Sequence, residues 1–420
     1  MERSCIIIQG GKRLEGELTV QGSKNTVLPV MAASLLTEGV TILHRVPPIA
    51  DVFFMVEVME KIGCGIQWEK DSLLIDARGS IESYIPTGKA GDFRGSALLM
   101  GALLARNGEV SMEKPGGCKI GARPLNFHME GFRRLGAKTV EGEGRYQCSG
   151  KRLMGNHIYL PFPSVGATEN LMIAAAKGYG ITWIHGCARE PEICDLAVFL
   201  KKMGAWVEGE GTPHIKIFGR RKLFPVEYTI PYDRIAAATY LMGGVITGGK
   251  ITLRLRGDTY RLENVLCLLE RMGARIIRGK DCVTLFMEGI PRALQVETGP
   301  YPGIPTDVQS MVMAAMLYAD GPSVIKENIF ESRFAVGKEL EKIGGKVIID
   351  QNQAFVFPVG KLEGTAVRAT DLRGGAALCL AALMAEGETR IEDSLYIKRG
   401  YIDIAKDFSR LGAQIQEVVG

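Results

Sequence analysis

Hydrophobic and polar positions follow a pattern that repeats about every seventy residues along the chain. Each copy contains an amphipathic run that ends in a basic residue, an apolar residue and a glycine. In residues 123–137, Leu125, Met129, Phe132 and Leu135 recur at the spacing of one helix face. A glycine directly after the last apolar residue is typical of a left-handed helix end. The six glycines are Gly63, Gly136, Gly204, Gly273, Gly344 and Gly412.

A second kind of helical run recurs with the same period and is apolar on nearly every face. These runs occupy residues 24–36, 95–105, 167–176, 235–246, 307–317 and 374–385. A helix that is apolar all round lies inside a domain. With short alternating segments such as residues 138–144, the pattern predicts six repeated α/β units around buried helices. The segment 225–237 divides the copies three and three and is the predicted domain junction.

Composition and charge then narrow the class of protein. The chain has 420 residues, 46% of them hydrophobic and 23% charged, which is ordinary for a soluble globular protein of two or three domains. A net charge of +4 does not predict nucleic-acid binding. Nine cysteines without CxxC or zinc spacing favour a reducing cytoplasm and no metal site. The apolar run near the N-terminus is too short for a signal peptide, and no run reaches the roughly 18–20 residues of a membrane span.

Four of the six buried helices are predicted to begin beside a cationic side chain: Lys24, Arg94, Arg234 and Arg373. Helix N-termini expose unpaired N–H groups and the positive end of the dipole, and they therefore attract anions. A cation at the same end strengthens the attraction to phosphate or carboxylate. For each helix the alternative is an ordinary N-cap with a solvated Lys or Arg nearby.

One segment of the second copy differs from the other five. Cys118 lies among glycines in residues 115–124 and is followed by Lys119 and Arg123. Neighbouring cations lower the pKa of a thiol towards a reactive value, so the sequence predicts a functional cysteine in a glycine-rich loop. Cys267 and Cys379 lie in apolar helical runs and are predicted to be core residues.

The sequence indicates a catalytic or binding role less strongly for the other candidate residues. Asp307 follows a proline at a helix start, where it is either an N-cap or a general base. Arg333 and Arg399 are predicted, from the residues alone, to be surface side chains. The histidines show no metal spacing, and there is no Walker A, Rossmann or Ser-His-Asp signature.

Motifs along nearly the whole chain resemble those of the UDP-N-acetylglucosamine 1-carboxyvinyltransferase family. They are GSKN (22–25), PGGCKIGARP (115–124), SVGAT (164–168), AREPEI (188–193), IPTD (304–307), FESRF (330–334), ATDLR (369–373) and RGY (399–401). The resemblance implies two domains of three βαβαββ units each, forming an inside-out α/β barrel. It implies domains of 24–231 and of 1–23 plus 232–420, with the active site in the cleft between them.

The resemblance also implies the reaction. The enolpyruvyl group of phosphoenolpyruvate moves to the 3-hydroxyl of UDP-N-acetylglucosamine by addition and elimination, and phosphate is released. No metal or organic cofactor is implied, and the partners are these two small molecules, without nucleic acid or membrane. The step is the first committed one of peptidoglycan synthesis, which serves cell shape and division, and it is the target of fosfomycin.

Residue roles follow from the matching motifs. Cys118 would protonate the methylene carbon and form a covalent phospholactoyl adduct, and Asp307 would accept the sugar hydroxyl proton. Lys24, Arg123 and Arg399 would hold phosphoenolpyruvate. Asn25 would lie close to them. The residues implied to contact the sugar nucleotide are Arg94, Arg123, Pro124, Leu125, Asn126, Phe127, Ser164, Val165 and Ile329. Asp371 and Arg373 would support the substrate-contacting residues from behind or lie on the hinge side.

Two positions depart from the family pattern. Phe162 stands where the family usually has Lys, and Asn126 where it commonly has Asp. These departures leave two alternatives open. One is an enolpyruvyl transferase for another UDP-sugar. The other is a weakly active regulatory paralogue that binds sugar nucleotides, which would be expected to lack Cys118, Lys24, Asp307 or Arg399, although all four are present.

Overall fold

The computed structural model describes residues 4–86, 93–114, 121, 124–142 and 144–419. The α-helices in these ranges are α1 (Lys24–Ser34), α2 (Ala50–Lys61), α3 (Leu99–Asn107), α4 (Asn126–Arg134), α5 (Val165–Ala176), α6 (Pro191–Lys202), α7 (Arg234–Ile246), α8 (Glu263–Arg271), α9 (Thr306–Met316), α10 (Gly337–Lys342), α11 (Leu372–Ala382) and α12 (Ile404–Arg410). Short 3-10 helices span Arg94–Leu98, Tyr260–Leu262, Arg333–Val336 and Ser394–Arg399.

The strands of the described residues are short and follow the helices in regular alternation. They are β1 (Ser4–Gln9), β2 (Glu15–Thr19), β3 (Val40–His44), β4 (Gly65–Glu69), β5 (Ser72–Asp76), β6 (Tyr84–Ile85), β7 (Glu109–Glu113), β8 (Lys138–Gly142), β9 (Arg145–Ser149), β10 (His157–Tyr159), β11 (Ile181–His185), β12 (Trp206–Glu208), β13 (His214–Phe218), β14 (Glu227–Thr229), β15 (Lys250–Arg254), β16 (Arg275–Arg278), β17 (Cys282–Phe286), β18 (Gln295–Glu297), β19 (Ser323–Lys326), β20 (Lys346–Asp350), β21 (Gln353–Phe357), β22 (Ala366–Arg368), β23 (Glu388–Glu392) and β24 (Gln414–Val419).

Six four-stranded sheets within the described residues share one strand arrangement. In the order β18-β19-β21-β20, the first two strands are parallel and the others pair antiparallel. A buried helix, α9, links the two parallel strands, and α10 leads to the hairpin. The sheets β6-β7-β9-β8 and β10-β11-β13-β12 repeat this arrangement. The predicted six-fold repetition of α/β units is therefore confirmed.

The other three sheets are completed by strands from distant parts of the chain. β2 precedes α1 but pairs with β15, and β14 precedes α7 but pairs with β3. β1 lies between β23 and β24 and is antiparallel to both. The period of the sequence could not predict these exchanges, because each joins segments that are about 180 residues or more apart.

The chain divides into two compact units, each with its own hydrophobic core. The first unit contains the residues up to Gln21 and those from Tyr232 onward, and the described loop residue Gly121 groups with it. The second unit contains the other described residues between Gly22 and Pro231. Three of the six sheets belong to each unit.

The helices that the sequence marked as apolar all round are buried. Every residue of α7 and of α11 is buried, as the pattern predicted. The run at 95–105 differs, because it begins as the 3-10 helix Arg94–Leu98 before α3. Gly95 packs tightly there, since a Cβ at that position would lie 2.3 Å from Cζ of Phe93. No helix in the described ranges is long and apolar enough to span a membrane.

The six periodic glycines end the amphipathic helices in one common geometry. Their φ angles are 107°, 92°, 101°, 102°, 91° and 97° in chain order. After each glycine, the next backbone N–H donates to a carbonyl oxygen five residues earlier, at N···O distances of 2.9–3.0 Å. This bond is the hallmark of a Schellman motif, and the predicted left-handed helix ends are confirmed.

Candidate active site

The start of α1 in the second unit presents a lysine that is fixed by a buried carboxylate. Ser23 caps the helix, and its Oγ accepts a hydrogen bond from the Thr26 N–H at 3.2 Å. Lys24 is the first helical residue, and its Nζ lies 2.6 Å from Oδ2 of Asp51 at the start of α2. The Lys24 and Asp51 side chains are 13% and 3% exposed. The ammonium group is therefore held in place at the positive end of a helix dipole.

Other predicted substrate residues of the second unit also lie at helix starts. Asn25 is the second residue of α1, and Arg94 begins the 3-10 helix before α3. Ser164 caps α5, and its Oγ accepts from the Ala167 N–H at 3.4 Å. Val165 is the first residue of that helix. All four side chains are partly buried, so the helix starts remain accessible to a ligand.

A cavity of about 430 Å³ opens in the second unit beside the start of α4. Asn126 and Phe127 line it together with residues of β8 and β10. Pro124 and Asn126 are exposed, whereas Leu125 is 3% exposed and belongs to the core. The Leu125 side chain therefore packs inside the unit, and only its main chain is left to face a ligand.

In the first unit, two carboxylates and two guanidinium groups form a compact cluster. Asp307 is the second residue of α9, and its Oδ1 lies 2.6 Å from Nη2 of Arg333 and 3.5 Å from Nε of Arg373. Asp371 caps α11, and its Oδ1 lies 3.8 Å from Nη1 of Arg333. We call these four residues the carboxylate–guanidinium cluster. Asp307 is its most exposed member, with 30% of its side chain accessible.

The position of Arg333 corrects the sequence-based interpretation. It was expected on the surface, but only 3% of its side chain is exposed. It begins the 3-10 helix between β19 and α10, and carboxylates from the starts of α9 and α11 satisfy it. A buried charge requires such partners, and these lie 26 and 38 residues away along the sequence. Only the FESRF motif in the family resemblance marked Arg333.

Electrostatics keep Arg373 charged despite its burial. Burial is the largest single effect and lowers the pKa of its guanidinium, but Asp307, Tyr401 and Asp233 together outweigh it and raise that pKa above the usual value. Asp371 accepts hydrogen bonds from the N–H groups of Arg373 and Gly374, at 2.9 and 3.2 Å. The start of α11 is thus fixed beside Asp307.

A further carboxylate, which sequence reasoning missed, links two predicted parts of the site. Glu327 is 3% exposed. Its Oε2 accepts from Oγ1 of Thr306 at 3.0 Å, and its Oε1 accepts from the Ile329 N–H at 2.8 Å. The loop that carries Ile329 is therefore attached to the start of α9. Arg399 ends the 3-10 helix Ser394–Arg399 and is partly buried, which also differs from the expected surface position.

Part of the predicted cysteine loop lies outside the described residues, including Cys118, Lys119 and Arg123. The described Gly121 has a φ of +138°, and a Cβ there would lie 2.2 Å from Oε2 of Glu331. Only glycine suits that position without a local shift.

The other cysteine predictions have mixed outcomes. Cys379 is buried as predicted. The prediction for Cys267 is wrong, because it is exposed on α8, where Val265, Leu266 and Leu268 form the buried side. Within the described ranges, no group of three or more His, Cys, Asp or Glu side chains is arranged to hold a metal ion.

Comparison with known proteins places this fold in one class. The EPSP synthase (3-phosphoshikimate 1-carboxyvinyltransferase) family model matches residues 8–408. The structure of the enolpyruvyl transferase NikO from Streptomyces tendae is similar over 100% of both chains, with a TM-score of 0.89 and 26% identity. EPSP synthase from Acinetobacter baumannii shares the fold, with a TM-score of 0.77 and 20% identity over 99% of this chain and 100% of that one. The fold is that of the enolpyruvyl transferases.

Sequence relatives narrow the class further. UDP-N-acetylglucosamine 1-carboxyvinyltransferase 2 of Caldanaerobacter subterraneus subsp. tengcongensis is 42% identical over 98% of this chain and 99% of its own. UDP-N-acetylglucosamine 1-carboxyvinyltransferase 1 of Symbiobacterium thermophilum is 44% identical over 98% and 95%. The chain therefore belongs to the UDP-N-acetylglucosamine 1-carboxyvinyltransferase family, and the resemblance inferred from its motifs is confirmed.

Proposed function

We propose that this protein transfers the enolpyruvyl group of phosphoenolpyruvate to the 3-hydroxyl of UDP-N-acetylglucosamine and releases phosphate. The observation that carries the proposal is the Asp307 carboxylate, fixed at a helix start by two guanidinium groups and still 30% exposed. A general base must be ionised and within reach of its substrate. Arg333 and Arg373 hold the carboxylate in place, and its exposed part leaves room for a hydroxyl group.

In the addition step, Asp307 takes the proton of the sugar hydroxyl as its oxygen attacks C2 of phosphoenolpyruvate. Cys118 gives a proton to the methylene carbon, which becomes a methyl group. The resulting tetrahedral carbon bears both the phosphate and the sugar oxygen. In the elimination step a proton leaves the methyl group, the bond from carbon to the phosphate oxygen breaks, and the double bond forms again. In this proposal Cys118 also forms the covalent phospholactoyl adduct.

Cationic side chains stabilise the negative charge of phosphoenolpyruvate in this proposal. Lys24, Arg123 and Arg399 hold its phosphate and carboxylate, and Asn25 lies close to Lys24 in sequence. Preorganised charges of this kind act without reorganisation at the moment of reaction. The contact of Lys24 with buried Asp51 supports this role, because it fixes the ammonium group before substrate arrives.

The sugar nucleotide is assigned to the second unit and to one loop of the first. Arg94, Ser164 and Val165 lie at accessible helix starts, and the cavity beside Asn126 and Phe127 has room for a nucleobase. Ile329 would contact the sugar nucleotide from its loop. Asp371 and Arg373 would support Asp307 from behind. The proposal includes an inside-out α/β barrel fold and a place in the cytoplasm, at the first committed step of peptidoglycan synthesis.

A phosphate-release assay tests the proposal. Purified protein mixed with phosphoenolpyruvate and UDP-N-acetylglucosamine should release phosphate, and omission of either compound should abolish release. Asp307→Asn keeps the size of the side chain but cannot accept the proton, so it should lower kcat by about 100-fold or more. Absence of phosphate release from folded wild-type protein would contradict the proposal.

A second candidate is an enolpyruvyl transferase for another UDP-sugar. It is favoured by Phe162, which is 38% exposed where the family usually has Lys, and by Asn126 in the cavity wall. Release of phosphate with a different UDP-sugar, and none with UDP-N-acetylglucosamine, would support it. Binding of the sugar nucleotide without any turnover would instead indicate a regulatory paralogue.

Covalent labelling tests the thiol assignment separately. The epoxide phosphonate fosfomycin should alkylate Cys118 and increase the mass of the protein by one molecule of inhibitor. The increase should be absent in Cys118→Ser, whereas Cys267→Ser should still be labelled, which controls for the exposed thiol. A mass increase that persists in Cys118→Ser would show that another group reacts.

A further inference from the structure

The backbone next to Arg399 is held by the side-chain amide of Gln21. Nε2 of Gln21 donates to the carbonyl oxygen of Gly400 at 3.0 Å. Oε1 of Gln21 accepts from the N–H of Ile402, also at 3.0 Å. The two hydrogen bonds lie on either side of Tyr401, so one amide group fixes the main chain that directly follows Arg399. We call these two hydrogen bonds the Gln21 clamp.

The main chain of Gln21 is fixed as well. Its carbonyl oxygen accepts from the N–H of Asp233 at 2.9 Å. Gln21 is the last residue of the first unit before the chain passes into the second unit at Gly22. The chain re-enters the first unit at Tyr232, and Asp233 directly follows Tyr232. The Gln21 clamp therefore attaches the segment of Arg399 to the place where the chain leaves and re-enters the first unit.

Contacts on the other side of the segment leave it little freedom. Tyr401 is 1% exposed, and its hydroxyl lies 2.7 Å from Oγ1 of Thr239 and accepts from Nη1 of Arg373 at 3.4 Å. Gly400 packs against α11, because a Cβ there would lie 2.8 Å from Cδ2 of Leu372. With Tyr401 fixed by its side chain and both neighbours held by Gln21, the direction in which Arg399 leaves the backbone is determined.

The chemistry of the contact suits an amide. The nitrogen of a side-chain amide can donate to one backbone group while its oxygen accepts from another. A glutamate at position 21 would place a carboxylate oxygen against the carbonyl oxygen of Gly400, which repels it. A methionine has a similar length but would leave both backbone groups of the clamp without this partner.

We propose that Gln21 is a positioning residue that aims Arg399 at the anionic groups of phosphoenolpyruvate. This inference rests on the proposed function, which assigns Arg399 to the phosphate and carboxylate of that substrate. Gln21 acts through Arg399 and does not touch the reacting atoms. Its loss should therefore weaken the binding of phosphoenolpyruvate and leave the binding of the sugar nucleotide nearly unchanged.

Steady-state kinetics of Gln21→Met and Gln21→Glu, measured on the full-length protein, test the inference. Two lost hydrogen bonds should raise the KM for phosphoenolpyruvate about tenfold in Gln21→Met, and more in Gln21→Glu. The KM for UDP-N-acetylglucosamine should change less than about twofold. Gln295→Met is the matched control, because Gln295 is an exposed residue of the first unit, on β18. It should leave both KM values and the melting temperature unchanged.

A double-mutant cycle with Arg399→Lys separates positioning from a general structural role. If Gln21 acts through Arg399, Gln21→Met should have little further effect on the KM for phosphoenolpyruvate once Arg399 is replaced, because coupled residues are not additive. Additive effects would overturn the inference, as would equal increases of both KM values. If Arg399→Lys alone has no effect on phosphoenolpyruvate, the role proposed for Arg399 fails instead. If wild-type protein releases no phosphate, the proposed function itself fails.

Discussion

At the scale of single residues, Arg333 is the side chain that bridges the two carboxylates of the carboxylate–guanidinium cluster. It contacts Asp307 and Asp371, which begin two different helices. Removal of one partner from a buried ion pair leaves the other charge uncompensated, which commonly costs about 3–5 kcal/mol. If Arg333 is replaced, Arg373 remains in this cluster as a second cation, so the two carboxylates lose only part of the nearby positive charge.

We expect Arg333→Met to lower kcat by roughly 10- to 100-fold, because Asp307 loses the closest group that holds it as a base. It should also lower the melting temperature. The matched control is Arg368→Met, since Arg368 pairs with Asp393 at 3.0 Å but is 66% exposed. Phosphate-release kinetics and thermal unfolding of both variants provide the measurement. Equal effects of the two substitutions would contradict the central role given to Arg333.

Three histidines of the second unit form another connected set. Nδ1 of His157 lies 2.9 Å from Nε2 of His185, and Nδ1 of His185 lies 3.1 Å from Nδ1 of His214. Burial lowers the pKa of His185, and positive charge on His214 and His157 lowers it further. Folding therefore opposes protonation of His185. Its contribution to stability is complete above the usual histidine pKa of about 6.5 and is lost as pH falls below that value.

Titration followed by NMR should place the midpoint of His185 below that of a histidine in an unfolded peptide. His214→Gln should move the midpoint upward only in part, because burial is the larger cause. A His185 midpoint above the unfolded value would refute the prediction.

At the scale of elements, α12 is attached to the core through a buried tyrosine. The hydroxyl of Tyr240 on α7 donates to Oδ2 of Asp407 on α12 at 2.6 Å. Burial raises the pKa of Asp407, and the hydrogen bond from Tyr240 lowers it only in part. Its stabilising contribution is thus complete below the usual value of 3.8 and is lost as pH rises through the higher folded value.

We therefore expect Asp407→Asn to raise the melting temperature at neutral pH, since the amide oxygen still accepts from Tyr240 without a buried charge. The gain should shrink towards pH 4. Tyr240→Phe should instead destabilise by about 1.5–3 kcal/mol, the value of a hydrogen bond to a charged group. Asp350→Asn, at an exposed position of β20, is the control. If Asp407→Asn lowers the melting temperature at neutral pH, the negative charge of Asp407 does not destabilise the folded protein and the prediction is wrong.

The elements also show what the sequence could predict and why. The six glycine-ended helices depend on contacts within five residues, so a local pattern was sufficient to predict them. The buried helices were predictable because they are apolar all round. The pairings of β1, β2 and β14 depend on distant segments, which leave no local signal. The burial of Arg333 was missed for a similar reason, because its partners Asp307 and Asp371 lie 26 and 38 residues away and leave no local signal.

At the scale of the whole molecule, the two units have separate cores. The described buried residues of one cluster all belong to the first unit, and those of the other to the second. A packing defect should therefore act mainly on the unit that contains it. Leu378 and Leu171 are matched positions for testing this, because each is the seventh residue of a buried helix and has no exposed surface.

Each Leu→Ala change should cost about 3–5 kcal/mol in its own unit. Calorimetry should resolve two transitions, with Leu171→Ala shifting one and Leu378→Ala shifting the other. The double variant should shift each transition by the same amount as the corresponding single substitution, since distant independent sites do not interact. If both substitutions lower one common transition equally, the units unfold as a single cooperative body and the prediction is wrong.

Because β1 pairs with strands that are made much later, its placement affects the order in which the two units fold. Gln9 pairs with Gln414, about 400 residues later in the chain. At synthesis rates of roughly 5–20 residues per second, β1 waits on the order of tens of seconds after leaving the ribosome for its partners. Residues 22–231 emerge during this interval and can complete their own core. The first unit thus begins synthesis earliest and finishes folding last, with an unpaired strand that needs protection from other chains meanwhile.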